Sequence, residues 1–328
     1  MLGNWINWGD FLVAAERMGE QGPRLLRRLM SGPAGRTRGQ WQEVYQGSLS
    51  ADPLSIPYLR RRWNDKATGD PATDHRCYVA ARYLGGRSGL AALSLGSGPG
   101  WNEAAWARSS LFSRIDGIEL SPALVAVAND RARKAGLEGV LRFHAGDAGR
   151  PPYPRERYDL ILCEGALHHL RPLERVVPAL AAALAPGGLL VMLEFCGPDR
   201  FQWSARQLEL ARQALDMIPA RWRARESGRL KTRVYRPGRL RMMLADPTEA
   251  AESSRILPLL RRHFLPLEEK PLGGNVVQLV FHGITRAFID PDGEAAALLE
   301  RVCALEDEEM RAGRIASDYW FGVYRKPE

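Results

Sequence analysis

From about Leu90 to Phe195, short apolar runs alternate with amphipathic segments. AALSL (91–95), IDGIEL (115–120), VLRFHAGD (140–147), YDLILC (158–163) and LLVMLEF (189–195) predict five strands. Helices are predicted between them. One follows the first strand from about Asn102. The segment SPALVAVANDRARKAG has Ser121 as N-cap, Pro122 at the first helical position and Gly136 past its end. A further helix opens at Pro172 and stops at Pro186-Gly187-Gly188. Apolar strands alternating with helices imply a parallel sheet covered on both faces.

After Gly197 this alternation breaks. FQWSARQLELARQALDMI predicts a helix, and an Arg-rich stretch runs on to about Met243. The α/β pattern resumes with SSRILPLLRRHF as a helix and FLPLEE as a strand. Two helices follow, near 275–288 and 293–312, and the alternation in SDYWFGVYRK predicts a last strand over 318–325. Residues 1–88 contain no convincing strand. Phe11 to Met30 has helical apolar spacing, and Trp5, Trp8, Trp41 and Trp63 suit a helical cap laid over something else. The expected organisation is a helical cap (1–88), an α/β core (89–199), an inserted helical Arg-rich segment (200–245) and the remainder of the core (246–328).

At 328 residues the chain can hold one large domain with additions. The 46 basic residues exceed the 38 acidic ones by only eight, so charge alone does not indicate a nucleic-acid-binding protein. Cys77, Cys163, Cys196 and Cys303 are far apart and form no CxxC pair, so neither a zinc site nor a disulfide framework is expected. The opening MLGNWINWGDFLV lacks a basic start and carries Asp10, which argues against a secretory signal. The uncharged stretch Val176 to Leu193 reaches membrane-spanning length, but Pro186-Gly187-Gly188 divides it into a buried helix and a buried strand. A cytoplasmic protein is expected, with no membrane segment.

LSLGSGPGWNE (93–103) places a glycine-rich turn between a strand and a helix, where open α/β sheets bind ligands. A dinucleotide fingerprint would want glycine at position 101, which is Trp101. A phosphate loop would want Gly-Lys-Ser/Thr, and no lysine is near. Pro99 has no N–H to offer a phosphate. Glu119 ends the second strand, where a carboxylate can take both hydroxyls of a ribose. Asp147 ends the third, where a carboxylate can accept from an exocyclic amine such as that of adenine. Together these features describe a nucleoside without phosphates, and S-adenosylmethionine (SAM) is the common ligand of that shape.

LSLGSGPG, GIEL, AGDA, YDLILCEGALHHL and PGGLLVMLEF, in this order, resemble class I SAM-dependent methyltransferases over about Leu90 to Phe195. SDYWFGVYRK is similar to the antiparallel last strand of that fold. The resemblance implies a Rossmann-like α/β fold with a seven-stranded, mostly parallel sheet. It also implies Gly96, Ser97, Gly98 and Gly100 along the methionine part of SAM, Glu119 with Leu120 at the ribose, and Asp147 with Ala148 at the adenine. Residues 1–88 and 200–245 lie outside the shared pattern, where such enzymes carry acceptor specificity.

Methyl transfer from a sulfonium is an in-line displacement, so alignment of the acceptor is the main requirement. A base is needed only where the acceptor must lose a proton. The loop after the fourth strand, Glu164 to Leu170, supplies the catalytic candidates His168, His169 and Glu164. In the cap, Trp63 and Asn64 are expected to cover the cofactor and Arg62 to pair with its carboxylate. Asn102, and Arg233 with Tyr235 in the basic segment Arg221 to Arg236, are the acceptor candidates. That segment suits an anionic group; Tyr235 and Trp222 are its only aromatics, which argues against a base-stacking platform and nucleic acid.

The expected activity is methylation of an O or N atom of a small or medium-sized metabolite such as a sugar, nucleotide-sugar or natural product, with S-adenosylhomocysteine as by-product and no metal. Two alternatives remain: modification of RNA or protein, and a reaction that cyclises or rearranges SAM itself.

Overall fold

The computed structural model describes residues 4–6, 10, 32, 34–39, 52–225 and 228–328. Among them, β1 (Leu90–Leu95), β2 (Phe112–Glu119), β3 (Leu141–Ala145), β4 (Tyr158–Glu164), β5 (Leu184–Phe195), β6 (Leu265–Gly273) and β7 (Tyr319–Arg325) form one sheet. Its order is β3-β2-β1-β4-β5-β7-β6. The first five strands pair in parallel, and β7 runs antiparallel to both β5 and β6. This is the Rossmann-like α/β sheet expected from the sequence, including its antiparallel last strand.

The unbroken apolar runs follow from burial of both faces. Leu93 and Leu95 of β1, Ile161 and Cys163 of β4, and Leu190 and Met192 of β5 point to one side. There they meet helix α5 (Leu173–Ala183) and helix α8 (Ile256–His263) through Val176, Leu180, Ile256 and Leu260. Ala92, Leu160, Leu162 and Val191 point to the other side. They meet α1 (Pro57–Thr68), α2 (His75–Tyr83) and α4 (Pro122–Lys134) through Trp63, Val79 and Ala128. Helix α3 (Trp101–Ala107) follows β1.

Local signals place most boundaries. Ser121 caps α4 by accepting from the Leu124 amide, with Pro122 at the helix start. One expectation is corrected. Pro186-Gly187-Gly188 does not end the helix: α5 stops at Ala183 and β5 already begins at Leu184. The register jumps from Tyr158↔Leu184 to Leu160↔Leu189, so the Pro-Gly-Gly stretch is an irregularity within the strand.

A third core lies beyond the sheet. Helix α6 (Ala205–Met217) buries Leu208, Ala211 and Leu215 against Val277, Val280 and Phe281 of α9 (Val276–Phe281). Phe288 of α10 (Arg286–Ile289) and Leu299 and Val302 of α11 (Gly293–Arg311) complete it. Helix α7 (Arg239–Ala245) precedes the return to the sheet. The helix expected over Phe11–Met30, with Trp8 and Trp41, lies outside the described residues. No described helix is long and apolar enough to cross a membrane.

Candidate active site

The sheet order reverses between β1 and β4, and the carboxyl ends of the strands open there into a cleft. Gly96, Gly98 and Gly100 all have positive φ, at 60°, 53° and 82°. A Cβ on Gly100 would lie 2.8 Å from Phe143 Cζ, and one on Gly96 would lie 3.1 Å from Ala166 Cβ. The turn therefore needs glycine for both conformation and space. From outside, Arg131 Nη1 donates to the Pro99 carbonyl at 2.7 Å.

A cavity of about 300 Å³ lies against this turn, lined by Gly96, Ser97, Glu119, Leu120, Asp147, Ala148 and the loop after β4. Glu119 is buried; its two oxygens accept from the Gly98 amide at 3.0 Å and the Ser121 amide at 2.8 Å. Burial raises its pKa, with those amide bonds opposing. Glu119 nevertheless lines the cavity. Asp147 Oδ1 accepts from the Gly149 amide at 2.8 Å in a tight turn, and Oδ2 lies 3.1 Å from Arg150 Nε. Ala34 and Thr37, in helical residues 34–39, close another side; Thr37 Oγ1 donates to Asp246 Oδ1 at 2.8 Å.

Glu164 sits at the cavity wall and is nearly enclosed. Arg76 donates to its Oε2, Trp106 Nε1 donates to Oε1 at 2.6 Å, and His75 Nε2 lies 3.4 Å from Oε1. Burial would raise its pKa, but the Arg76 and His75 charges and these hydrogen bonds outweigh it and hold the carboxyl down at about 2. Arg76 also donates to Asn102 Oδ1 at 2.7 Å, so one guanidinium fixes two cavity-lining residues.

The turn Leu167–His169 is built on Glu194, a fully buried carboxylate of β5. Glu194 Oε1 accepts from the Ala166 amide at 2.6 Å and the Leu167 amide at 2.7 Å, and Oε2 lies 2.8 Å from His168 Nδ1. Burial works against a charged His168, yet Glu194 and then Glu249 overcome it and raise its pKa. His169 lines the cavity, its ring centroid 4.1 Å from that of His168. Burial first, then the His168 and Arg200 charges, keep His169 neutral. Glu249 Oε1 lies 3.7 Å from His168 Nε2 and 3.9 Å from His169 Nε2.

Residues 93–192 match the family model described as "Methyltransferase domain". Over this stretch the chain is similar to methyltransferase domains. A 27-O-demethylrifamycin SV methyltransferase from Amycolatopsis mediterranei (strain S699) is 33% identical over 134 residues, 40% of this chain and 49% of that one. A demethylmenaquinone methyltransferase from Tropheryma whipplei (strain Twist) is 30% identical over 124 residues, 38% of this chain and 49% of that one. The match thus spans about half the length of these relatives. The geranyl diphosphate C-methyltransferase of Streptomyces coelicolor A3(2) shares the fold, with a TM-score of 0.51, 15% identity, and coverage of 90% of this chain and 99% of that one.

Within residues 93–192 the structure brings together Gly96, Ser97, Glu119, Leu120, Asp147, Ala148, Asn102, Glu164 and His169 around one cavity. Gly98 and Gly100 shape the turn beneath it, and the His168 ring packs against His169 at a tilt of 44°. The three cap residues are a correction. Arg62 faces away, donating to Asp307 at 2.7 Å and Glu306 at 3.1 Å. Trp63 packs on Tyr319 with ring centroids 4.9 Å apart, and Asn64 Nδ2 donates to the Pro71 carbonyl. None of them lines the cavity. Arg233 is exposed and Tyr235 half-buried, and neither lines it.

Three residues at the site were missed by sequence reasoning. Arg76 directly follows RRRWNDKATGDPATDH (60–75), the polar stretch that holds Arg62, Trp63 and Asn64. Glu194 carried a usable signal, since an acid inside LLVMLEF must find buried partners. Glu249 carried none, lying in a loop between the inserted segment and α8.

Proposed function

We propose that this protein binds SAM and transfers its methyl group to an O or N atom of a small or medium-sized metabolite. The observation that carries the reading is the cavity itself, which joins the glycine turn, Glu119, Asp147 and the histidine loop in the order an adenosine with a methionine tail requires. Glu119 accepts the ribose hydroxyls and Asp147 the adenine amine. Glu164 and Asn102, both held by Arg76, receive the ammonium end of the methionine. Arg76, behind these two residues, thus takes the part at the methionine end that the sequence suggested for Arg62. The relatives named as methyltransferases of 27-O-demethylrifamycin SV and demethylmenaquinone favour a metabolite acceptor.

The acceptor atom lies between the sulfonium and His169, and alignment supplies most of the rate. The C–S bond breaks as the bond from the acceptor forms, and the sulfur keeps the electron pair. Held ionised by its donors, Glu164 binds charge and does not take a proton.

Modification of a polymer is less well supported. Arg221 pairs with Glu294, Arg223 donates to the Ile218 and Asp216 carbonyls, and Arg236 donates to Asn4. Lys231 is buried, with Nζ donating to the carbonyls of Leu279, Val280 and His282. Much of the basic segment is thus occupied within the chain.

Calorimetry with SAM and S-adenosylhomocysteine, followed by mass spectrometry of reactions with candidate hydroxyl and amine acceptors, tests the reading. A product 14 mass units heavier together with S-adenosylhomocysteine is expected. Methylthioadenosine without a methylated product, or no SAM binding, would overturn it.

A further inference from the structure

His168, His169 and Glu249 form, among the described residues, a cluster whose possible metal-ligating atoms all lie within 4.8 Å of one another. Two imidazoles and one carboxylate are a common donor set for divalent transition metals, leaving positions open for an exogenous ligand.

Each donor has its own support. His168 Nδ1 faces Glu194 Oε2 at 2.8 Å, which directs the Nε2 lone pair toward Glu249. A carboxylate behind a histidine is the usual outer shell of a metal-bound imidazole. The same Glu194 holds the Ala166 and Leu167 amides, and so fixes the turn that carries both histidines. Glu249 is fixed from the opposite side. Arg200 Nη1 donates to the Glu249 carbonyl at 3.0 Å, Nη2 donates to the Pro247 carbonyl at 2.7 Å, and the Arg200 amide donates to the Ala250 carbonyl at 2.6 Å.

The spacing also suits an ion. Tetrahedral ligands about 2.1 Å from zinc lie roughly 3.4 Å apart. Glu249 Oε1 lies 3.7 and 3.9 Å from the two Nε2 atoms, and all three ligand atoms lie within 4.8 Å of one another, so side-chain adjustment without backbone rearrangement brings them to that spacing.

We propose that His168 Nε2, His169 Nε2 and Glu249 bind one divalent transition-metal ion at the edge of the cavity. The open positions of such an ion suit an oxygen of the acceptor. Coordination lowers the pKa of a bound hydroxyl, its proton passes to water, and the resulting oxygen anion attacks the methyl carbon. The role at the acceptor, though not the ion site itself, rests on the methyl-transfer reading.

The test uses the full chain, stripped with a chelator and titrated with Zn²⁺ by calorimetry and Co²⁺ by visible absorption. Wild type is expected to bind one equivalent, with the d–d bands of a site containing nitrogen ligands. Glu249→Gln and His169→Ala should each weaken binding at least tenfold while keeping the wild-type circular dichroism spectrum. Glu194→Gln should also weaken it about tenfold or more. No stoichiometric binding by wild type, or unchanged Co²⁺ bands and affinity in Glu249→Gln and His169→Ala, would overturn the site. SAM binding measured on the same samples separates the two ideas: a protein that binds SAM but no metal loses only this one.

Discussion

Glu194 Oε2 and His168 Nδ1 lie 2.8 Å apart, while the other oxygen of the same carboxylate holds two consecutive backbone amides. One buried charge therefore orients an imidazole and shapes the loop that carries it. Replacing Glu194 by Ala leaves these groups without their acceptor in a buried site. The expected loss is about 3 kcal/mol or more of unfolding free energy by urea denaturation. Glu194→Gln keeps an acceptor oxygen and should lose less. Equal stability of the Ala variant and wild type would contradict this role.

Glu119→Ala should weaken SAM binding roughly tenfold or more, because a charge-assisted pair to the ribose is lost. The Gly98 amide also loses its acceptor, which loosens the turn under the cofactor. Calorimetry returning an unchanged affinity would remove the ribose assignment.

Arg62 and Arg76 lie one helix apart and should behave differently. Arg62→Ala strands Glu306, a fully buried carboxylate that also accepts from the Gly274, Val276 and Val277 amides. It should cost about 3 kcal/mol of stability and leave the SAM dissociation constant within about twofold. Arg76→Ala strands Glu164 at the cavity wall and should lower both stability and SAM affinity, the latter about tenfold. Paired melts and titrations decide; similar SAM affinities for the two variants would return the cofactor assignment to the drawing board.

Glu103 gives a pH signature. It is buried in α3, where Ser94 Oγ donates to Oε1 at 2.5 Å, and burial outweighs that bond and pushes its pKa up to about 7. A carboxyl with a raised folded pKa stabilises the fold below its ordinary value of 4.5, and that contribution fades as pH rises through about 7. Relative to Glu103→Gln, wild type should therefore lose about 2 to 3 kcal/mol between pH 5 and 8. Parallel denaturation curves across that range would show that Glu103 stays ionised in the folded protein.

The sheet was legible because its central strands β1, β4 and β5 are apolar on both sides and the segments between them carry punctuation such as Ser121-Pro122. The cavity wall was legible because the glycines, Glu119 and Asp147 sit at or just past strand ends, where the fold forces them together. The cap residues were not. Arg62 meets Glu306, 244 positions away, and no local pattern in α1 records that partner. The basic segment misled in the same way: composition counts charges but does not say that Lys231 is buried against the end of α9.

The core shared by α6, α9 and α11 bears on engineering. Residues 200–245 look like a cassette in the sequence, to be traded between enzymes for a new acceptor. Yet Leu208, Ala211 and Leu215 are half of an apolar seam whose other half, Val277, Val280 and Phe281, arrives some 60 residues later. A transplant of the first half alone would expose the second to water. Chimeras that carry both stretches from one parent should express as soluble protein, and those that split them should aggregate.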